Sequence, residues 1–599
     1  MRYRIAAFAA LGVAAWLLPY GLDSYAIHVV NVIIIFALLA VGLGLAMGIG
    51  GQVNLAQVAF FGVGAYATAI LTTEAGLGFW VSAALAIAAT AAIGLLVGTP
   101  ALRIQSHYLG IVTLGLALAF TNWVTNAQVA GGAEGISNIP VPTLPGIDLS
   151  NEYLFYYLEL VVLACGLLFG LFVVRTGLGR RLRAMRDDAL AAGALGAEVP
   201  MLRMTAFLLA SVYGGVAGVL YAGLIRYVAP ESFGIANMFL LLAMVIIGGR
   251  QSLIGCVVGA VGLCVVRELL VDHPTYAQVA YGTVVVLTVV FAPTGLAGLP
   301  GRVRAAVGRR GAVAARLEPF RPYERGDAPP ADAPAVLSVD DVHMRFRGLK
   351  ALDGVSLTVR QGEIRGIVGP NGSGKTTLFN VISGLYRPTG GRVEFGGRDV
   401  TGLPPYRLAR AGIARTFQNL RLFGDLTVRE NVLVALDHSR TVDGWRYLLR
   451  PLSVLRADRR LRARADEVLD RYGLTGFADQ PPRSLPYGTQ RRVEIARAVA
   501  ARPRLLLLDE PAAGLNGDEV RRLGEMVRSI RDSGVTVVVI EHNMGLVMSL
   551  CERVTVLAGG GVIAEGTPAE VAAAPAVIEA YLGDSMSTDD IELPTEVNR

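Results

Sequence analysis

Lysine is missing from the first 300 residues, which carry only 12 Arg and 12 Asp or Glu, whereas the last 299 hold 42 basic and 36 acidic residues. So little charge excludes a water-exposed globule for the first half. Its solvent is lipid, and that of the second half is water. Cysteine is scarce too. Cys165, Cys256, Cys264 and Cys551 lack metal-binding spacing and three lie in apolar runs, which argues against a disulfide framework or a zinc site and for small buried hydrophobes. The formal charge of +6 and a pI near 9.1 do not indicate nucleic acid, because the arginines cluster beside apolar runs and in the segment 302–325. Flanks facing membrane lipid account for them, with no nucleic-acid partner. The start, MRYRIAAFAALGVAAWLLPY, has the basic head and apolar core of a signal peptide but is followed by many further runs, so it reads as a first membrane helix.

Apolar runs near 5–20, 26–48, 55–72, 79–98, 107–126, 153–174, 204–225, 235–249, 253–271 and 278–299 predict about ten helices, with eight spans and two re-entrant segments as the alternative. Ten spans with a cytoplasmic N-terminus place Arg2, Arg4, Arg103, Arg175, Arg180, Arg181, Arg183, Arg186, Arg203 and Arg250 inside, and leave Arg226 and Arg267 outside near helix ends. Small residues crowd GLGLAMGIGGQVNLAQVAFFGVGAYA (42–67), and the bland reading of each Gly is helix packing. Gln52, Asn54 and Gln57 beside a Gly pair also put polar groups at a helix break, the kind of place that lines a solute path. Glu159 reads as an interfacial carboxylate among Tyr153, Tyr156 and Tyr157.

Residues 175–200 are too polar to span a membrane, and Leu182, Met185, Ala189 and Ala192 fall at helical spacing, which predicts an amphipathic helix outside the bilayer. Leu190, Ala191, Ala192 and Gly196 resemble the coupling loop of ATP-binding-cassette importers, with Leu190 where that pattern has Glu and Asp187 and Asp188 one turn earlier. GGQVNLAQVAFFGVGAYA (50–67), HYLGIVTLGLA (107–117), GGAEGI (131–136) and MVIIGGRQSLIGCVVGA (244–260) resemble signature stretches of branched-chain amino-acid permeases, in the same order.

The segment 301–335 loses apolar periodicity and is rich in Pro, Ala and Arg, which predicts a solvated tether along an anionic leaflet. Beyond it, GPNGSGKTT supplies Gly369, Asn371, Gly372, Ser373, Gly374, Lys375, Thr376 and Thr377. This is a Gly-rich loop whose N–H groups cradle nucleotide phosphates while Lys375 reaches the terminal phosphates and Thr376 ligates Mg2+. LLLLDEP reads as a buried strand that delivers Asp509 to Mg2+ and Glu510 to the attacking water. His542 follows a second such strand, where it can contact the terminal phosphate.

These stations resemble those of ATP-binding cassettes. The resemblance implies that Phe346 stacks on adenine, that Gln418 touches magnesium and faces the permease, and that Leu485, Pro486, Tyr487, Gly488 and Thr489 form the signature holding ATP bound on an opposite cassette. Pro486 replaces the usual Ser, leaving two readings, a weakened site or a variant relying on backbone donors. Asn516 stands where Asp is common. GLPPYRLARAGIARTFQNLRLFGDLTVRENVLVA (402–435), the Tyr487-containing signature and PAVIEAYLG (575–583) resemble the ATPase subunit that accompanies branched-chain amino-acid permeases.

The expectation is a multi-domain chain. An all-α polytopic membrane domain of about ten helices (1–300) and a linker (301–335) precede an α/β P-loop ATP-binding-cassette domain (336–583) and a disordered tail (584–599). The resemblance implies ATP and Mg2+ as cofactors, and import of branched-chain amino acids, with urea, short amides or another small solute as alternatives. It also implies an extracytoplasmic solute-binding protein and a second permease and ATPase, or a homodimer, with the ATPase and both termini on the cytoplasmic side of the inner membrane. An exporter and a membrane-tethered regulatory ATPase are the rival classes.

Overall fold

The computed structural model describes residues 12–101, 106–144, 147–271, short pieces between 279 and 298, 317–324, 333–437 and 451–582. Internal packing divides the chain into two units, Met1–Arg186 with Val199–Val313, and Asp187–Glu198 with Ala314–Arg599.

In the first unit the helices are α1 (Ser24–Leu43), α2 (Gln57–Thr73), α3 (Phe79–Ala101), α4 (Ser106–Asn126), α5 (Glu152–Arg175), α6 (Gly177–Asp187), which runs to the unit boundary, then α8 (Val199–Ile225), α9 (Ile235–Gly248) and α10 (Leu253–Leu269), with α7 (Ala189–Ala194) belonging to the second unit. Between α4 and α5 the short strands β1 (Thr143–Leu144) and β2 (Ile147–Asp148) pair antiparallel. Among the described residues six stretches are long and apolar enough to cross a membrane, Ser24–Ile49, Phe79–Thr99, Tyr108–Asn126, Glu152–Arg175, Val199–Ile225 and Pro230–Gly248, and Gln57–Thr73 is a shorter apolar helix. The run expected at 5–20 is described only from residue 12 and that at 278–299 only in short pieces, while Arg2, Arg4, Arg103, most linker arginines and the tail lie outside the described residues.

Small residues let helix axes approach. A Cβ on Gly64 of α2 would stand 2.4 Å from the carbonyl oxygen of Gly215 on α8, and one on Gly248 would stand 2.0 Å from that of Gly255. The interruption expected near Gly50 is present. α1 passes into a single π-helical stretch, Gly44–Ile49, and the chain then runs irregularly, with Gly51 at φ 69°, until α2 begins at Gln57. Glu159, expected as an interfacial carboxylate, is fully buried in the protein, and neither carboxylate oxygen has a hydrogen-bond partner among the described residues.

The second unit contains two sheets. Strands β3 (Ala335–Phe346), β4 (Leu349–Arg360), β6 (Gly390–Phe395) and β7 (Arg398–Asp399) form an antiparallel sheet in the order β4-β3-β6-β7. The order of the other is β12-β11-β5-β10-β9-β8, from β5 (Ile364–Val368), β8 (Ile413–Arg415), β9 (Leu505–Asp509), β10 (Thr536–Ile540), β11 (Arg553–Ala558) and β12 (Gly561–Gly566). The pairs from β11 through β8 are parallel, and β5, β9 and β10 are buried along their whole length, which is why β9 and β10 read as apolar runs, whereas β5 buries Arg365 against Glu363 at 2.8 Å. Around the sheets lie α11 (Lys375–Ile382), α12 (Pro405–Ala411), α13 (Val428–Leu436), α14 (Pro451–Arg471), α15 (Tyr487–Ala500) and α16 (Gly517–Asp532).

Two assignments shift. The expected tether is not free at 317–324. Arg321 N–H donates to the Arg471 carbonyl (2.8 Å), Glu318 N–H to that of Gly473 (3.2 Å) and Tyr323 N–H to Ser529 Oγ (2.7 Å), while Phe320 packs on Tyr472 with ring centroids 5.2 Å apart. Six residues thus strap the cassette, because their main-chain donors find acceptors on its surface and the aromatic ring finds a partner. Second, the amphipathic stretch 175–200 is two helices, α6 and α7, separated at Asp188, and 187–198 packs within the cassette unit.

Candidate functional site

Three neighbouring parallel strands carry the chemistry to one edge of the sheet. β5 runs into the Gly-rich loop, β9 ends in Asp509 and Glu510, and His542 follows β10. Ligands of such sheets collect at the carboxyl ends of the strands. The loop needs glycine at both ends. Gly369 has φ 149°, and a Cβ there would lie 2.0 Å from the Leu557 carbonyl oxygen, while Gly374 has φ 101° and caps the start of α11. Lys375 curls back, its Nζ donating to the carbonyls of Gly369 (2.7 Å) and Pro370 (2.8 Å). Burial pushes its ammonium below the usual lysine range, and Glu510 opposes that shift. Asn371, Gly372 and Thr376 are exposed on the loop, Thr377 is half-buried and Ser373 is buried.

Glu510 is the meeting point. Its Oε2 accepts from Gln418 Nε2 (2.9 Å), and its Oε1 lies 3.0 Å from His542 Nε2. The residue has φ 45°, a region that side chains disfavour, and its N–H donates to the Ile540 carbonyl (2.9 Å), tying β9 to β10 at the turn. Next to it Asp509 is buried, with Oδ2 on Arg415 Nη2 (2.8 Å) and Oδ1 without a hydrogen-bond partner among the described residues. A carboxylate oxygen so placed near the phosphate loop is the donor a hard cation takes, so the residues fit Mg2+, to which Thr376 and Gln418 could add further oxygen. Phe346 is partly exposed and meets Tyr386 edge to face at 5.2 Å.

The signature opens α15. Leu485 is buried, Tyr487 is exposed and Pro486 occupies the N-cap with no side-chain cap bond. Gln490, inside the first turns, donates from Nε2 to the Leu485 carbonyl at 2.8 Å, a bond that leaves the helix's leading N–H groups uncapped. Gly488 has no room for a Cβ, which would stand 2.3 Å from Glu519 Oε1. Glu519 itself is held in a capping box with Asn516, so Asn in place of Asp still starts α16.

At the coupling segment Asp188 caps α7 by accepting from Ala191 N–H (2.9 Å), and its Oδ2 also accepts from Arg421 Nη1 (2.7 Å). Asp187 accepts from Asp425 N–H (2.9 Å), and Glu198 pairs with Arg410 at 3.4 Å. Ala191 and Ala192 are buried, Leu190 is partly exposed, and Gly196 ends the turn at φ 85° while Ala197 N–H reaches back to the Ala192 carbonyl.

The residues expected to line a path are buried and largely satisfied. Asn54 Nδ2 donates to Gln57 Oε1 (3.2 Å) and Gln57 Nε2 to the Ala210 carbonyl (3.0 Å), whereas Gln52 Nε2 has no partner among the described residues. These bonds brace the helix break and tie it to α8.

Known proteins converge on both halves. Residues 25–292 match the family model described as branched-chain amino acid transport system / permease component, 352–513 that of ABC transporters, and 562–586 that of the branched-chain amino acid ATP-binding cassette transporter. BraF of Pseudomonas aeruginosa, a high-affinity branched-chain amino acid transport ATP-binding protein, is 43% identical over 251 residues, 42% of this chain and 98% of BraF. The LivG protein of Salmonella typhimurium, of the same description, is 44% identical over 251 residues, 42% of this chain and 98% of its own length. The permease protein LivM of Salmonella typhimurium is 34% identical over 309 residues, 47% of this chain and 72% of LivM. The chain belongs to the branched-chain amino-acid ABC transport family. It joins the family's permease and ATPase in one polypeptide and is a multi-pass membrane protein whose cassette is an ATP hydrolase.

Sequence reasoning missed Arg415, which sits in strand β8 and also donates to Asn380 and Ser383. A cation inside the apolar run IAR was its signal. Glu541 was missed as well. It is buried, accepts from the N–H groups of Ala512 and His542, and has its carboxyl pushed up by burial against those bonds.

Proposed function

We propose that this chain is the permease and ATPase half of an importer that uses ATP to move branched-chain amino acids into the cell. The hydrolytic part is supported chiefly by the meeting of Gln418 and His542 on the two oxygens of Glu510. The solute is supported by relatives of both halves, which carry the same transport description.

In this reading Glu510 polarises the attacking water, and His542 and Gln418 fix the carboxylate's orientation. Lys375 leaves the Gly369 and Pro370 carbonyls for the terminal phosphate, whose charge the loop N–H groups share. Asp509, Thr376 and Gln418 would hold Mg2+, which when bound would neutralise charge on the phosphates. Phe346 offers its ring to adenine. Leu485, Pro486, Tyr487, Gly488 and Thr489 present uncapped helix N–H groups to ATP on a second cassette, so Pro486 removes a hydroxyl but no backbone donor that the site needs. Asp187, Asp188 and Arg421 join the coupling loop Leu190, Ala191, Ala192 and Gly196 to the cassette segment that follows Gln418. The partners are a second permease and ATPase, or a second copy of this chain, and an extracytoplasmic solute-binding protein. The cassette faces the cytoplasm, and residues 1–300 and 336–583 are the two working domains.

The test is ATP hydrolysis and leucine uptake by the full chain in lipid, alone and with candidate partners, against Glu510→Gln. The substitution is expected to cut hydrolysis at least about 10²-fold. Activity only with partners marks a half-transporter and activity of the chain alone at dimer mass marks the homodimer, whereas hydrolysis unchanged by Glu510→Gln overturns the site.

A further inference from the structure

The helix that begins with the signature carries a second pattern. Arg491, Glu494 and Arg497 recur every three residues on one face of α15, and all three are at most 2% exposed. Burying such ions costs several kcal/mol each, and apolar side chains of similar volume would fill the space at no such cost. Their bonds show what they do instead.

Arg491 spreads its planar fork over three stretches of chain. Nη1 donates to Glu494 Oε2 (2.7 Å) and to the Phe417 carbonyl (3.1 Å). Nη2 reaches the carbonyls of Gln418 (3.2 Å) and Glu510 (3.4 Å) and the Tyr487 hydroxyl (3.4 Å). Glu494 Oε1 accepts the Phe417 N–H at 3.3 Å, so the pair grips that residue from both sides. Two turns on, Arg497 Nη1 donates to the Arg421 carbonyl at 2.8 Å. Residues 417–421 are therefore stitched through their main chain to a single helix face. Gln418 and Glu510, whose side chains meet at 2.9 Å, share one guanidinium behind them.

We propose that Arg491 is a positioning residue for ATP hydrolysis. By donating to the main-chain carbonyls of Gln418 and Glu510 together, it sets the register in which their side chains meet, and Glu494 holds the guanidinium in plane. Glu510 needs such restraint. A non-glycine residue at φ 45° persists only where its surroundings over-determine it, and here its N–H is held by Ile540 and its carbonyl by Arg491. Lysine cannot substitute, because one ammonium does not span acceptors arranged for a fork. The inference rests on the reading that Glu510 activates the water.

The test uses the full chain in lipid with the partners that support hydrolysis, comparing Arg491→Lys, the double variant Arg491→Met/Glu494→Leu, Gln418→Ala and Glu510→Gln. The apolar double variant removes both ions together, the exchange that folded proteins tolerate best. In both Arg491 variants kcat is expected to fall by about 10- to 100-fold, as small misplacements of catalytic groups do, with KM for ATP and the melting temperature little changed. Arg491→Lys combined with Gln418→Ala is expected to lose less than the product of the two single losses, because both act on one arrangement. A wild-type kcat in whichever Arg491 variant folds, or fully multiplicative losses, overturns the proposal. Glu510→Gln separates the two readings, since hydrolysis insensitive to it sinks the site itself, whereas sensitivity to it with indifference to Arg491 sinks only the positioning role.

Discussion

Cys551 shows how completely its surroundings govern one side chain. Its thiol packs against β5, close enough that a Cβ on Gly366 would lie 3.0 Å from the sulfur, and burial together with Glu541 and Glu552 pushes its pKa up to about 12. At pH 8 only about one part in 10⁴ is thiolate, and the thiolate is the reactive form. Maleimide at pH 8 is therefore expected to spare Cys551 in the native chain and modify it in urea, as read by mass spectrometry of its peptide. Native labelling at the rate of an exposed thiol would show that the packing around β5 is open. The site residues divide on the same grounds. Lys375, Asp509, Glu510 and His542 were legible because packing alone gives no reason for a Gly-rich loop that ends in Lys and Thr, or for an apolar strand that ends in two carboxylates. Arg491, Glu494 and Arg497 were not, because charges three apart on a polar helix read as a solvated face until the carbonyls of Phe417, Gln418 and Arg421 are seen opposite them.

Elements follow the same division. Helix α7 is only six residues long, too short to persist in water by itself, so its ends and its contacts decide its fate. Asp188 supplies both the cap and the ion pair to Arg421. Asp188→Ala is expected to cost about 1 kcal/mol of local stability from the lost cap and to lower solute moved per ATP hydrolysed while basal hydrolysis persists. Uptake and phosphate release measured on the same vesicles give that ratio, and an unchanged ratio would remove Asp188 from the coupling path. The Ala-Ala-three-Gly spacing was readable only through its resemblance to importer coupling loops, and the structure adds that Gly196 ends the turn at φ 85°. That the acid lies two positions before Leu190 was only half readable, since Asp187 and Asp188 take different partners, one a backbone N–H and the other a guanidinium. The break before α2 was legible from its glycines. The role of Asn54 and Gln57 as braces was not, because polar residues at membrane depth have the same sequence appearance whether they meet solute or main chain.

For the molecule as a whole, composition alone separated the lipid-facing half from the cassette, but it gave no sign that part of the linker is bound to the second unit. Glu318 to Tyr323 lie in a Pro- and Arg-rich stretch with no periodicity, and only their main-chain bonds to Arg471, Gly473 and Ser529 attach them to the folded unit. Phe320→Ala is expected to lower cassette stability by about 1 to 3 kcal/mol through loss of the contact with Tyr472, seen as an earlier thermal transition. An unchanged transition would return the segment to the role of a free tether. Joining permease and cassette in one chain also bears on biosynthesis. Asp188 leaves the ribosome 233 residues ahead of Arg421, a delay of roughly 10 to 50 s at typical elongation rates. Throughout that interval the segment around Asp188 waits without its partner, and a ribosome that stalls before Arg421 leaves a permease with no engine attached.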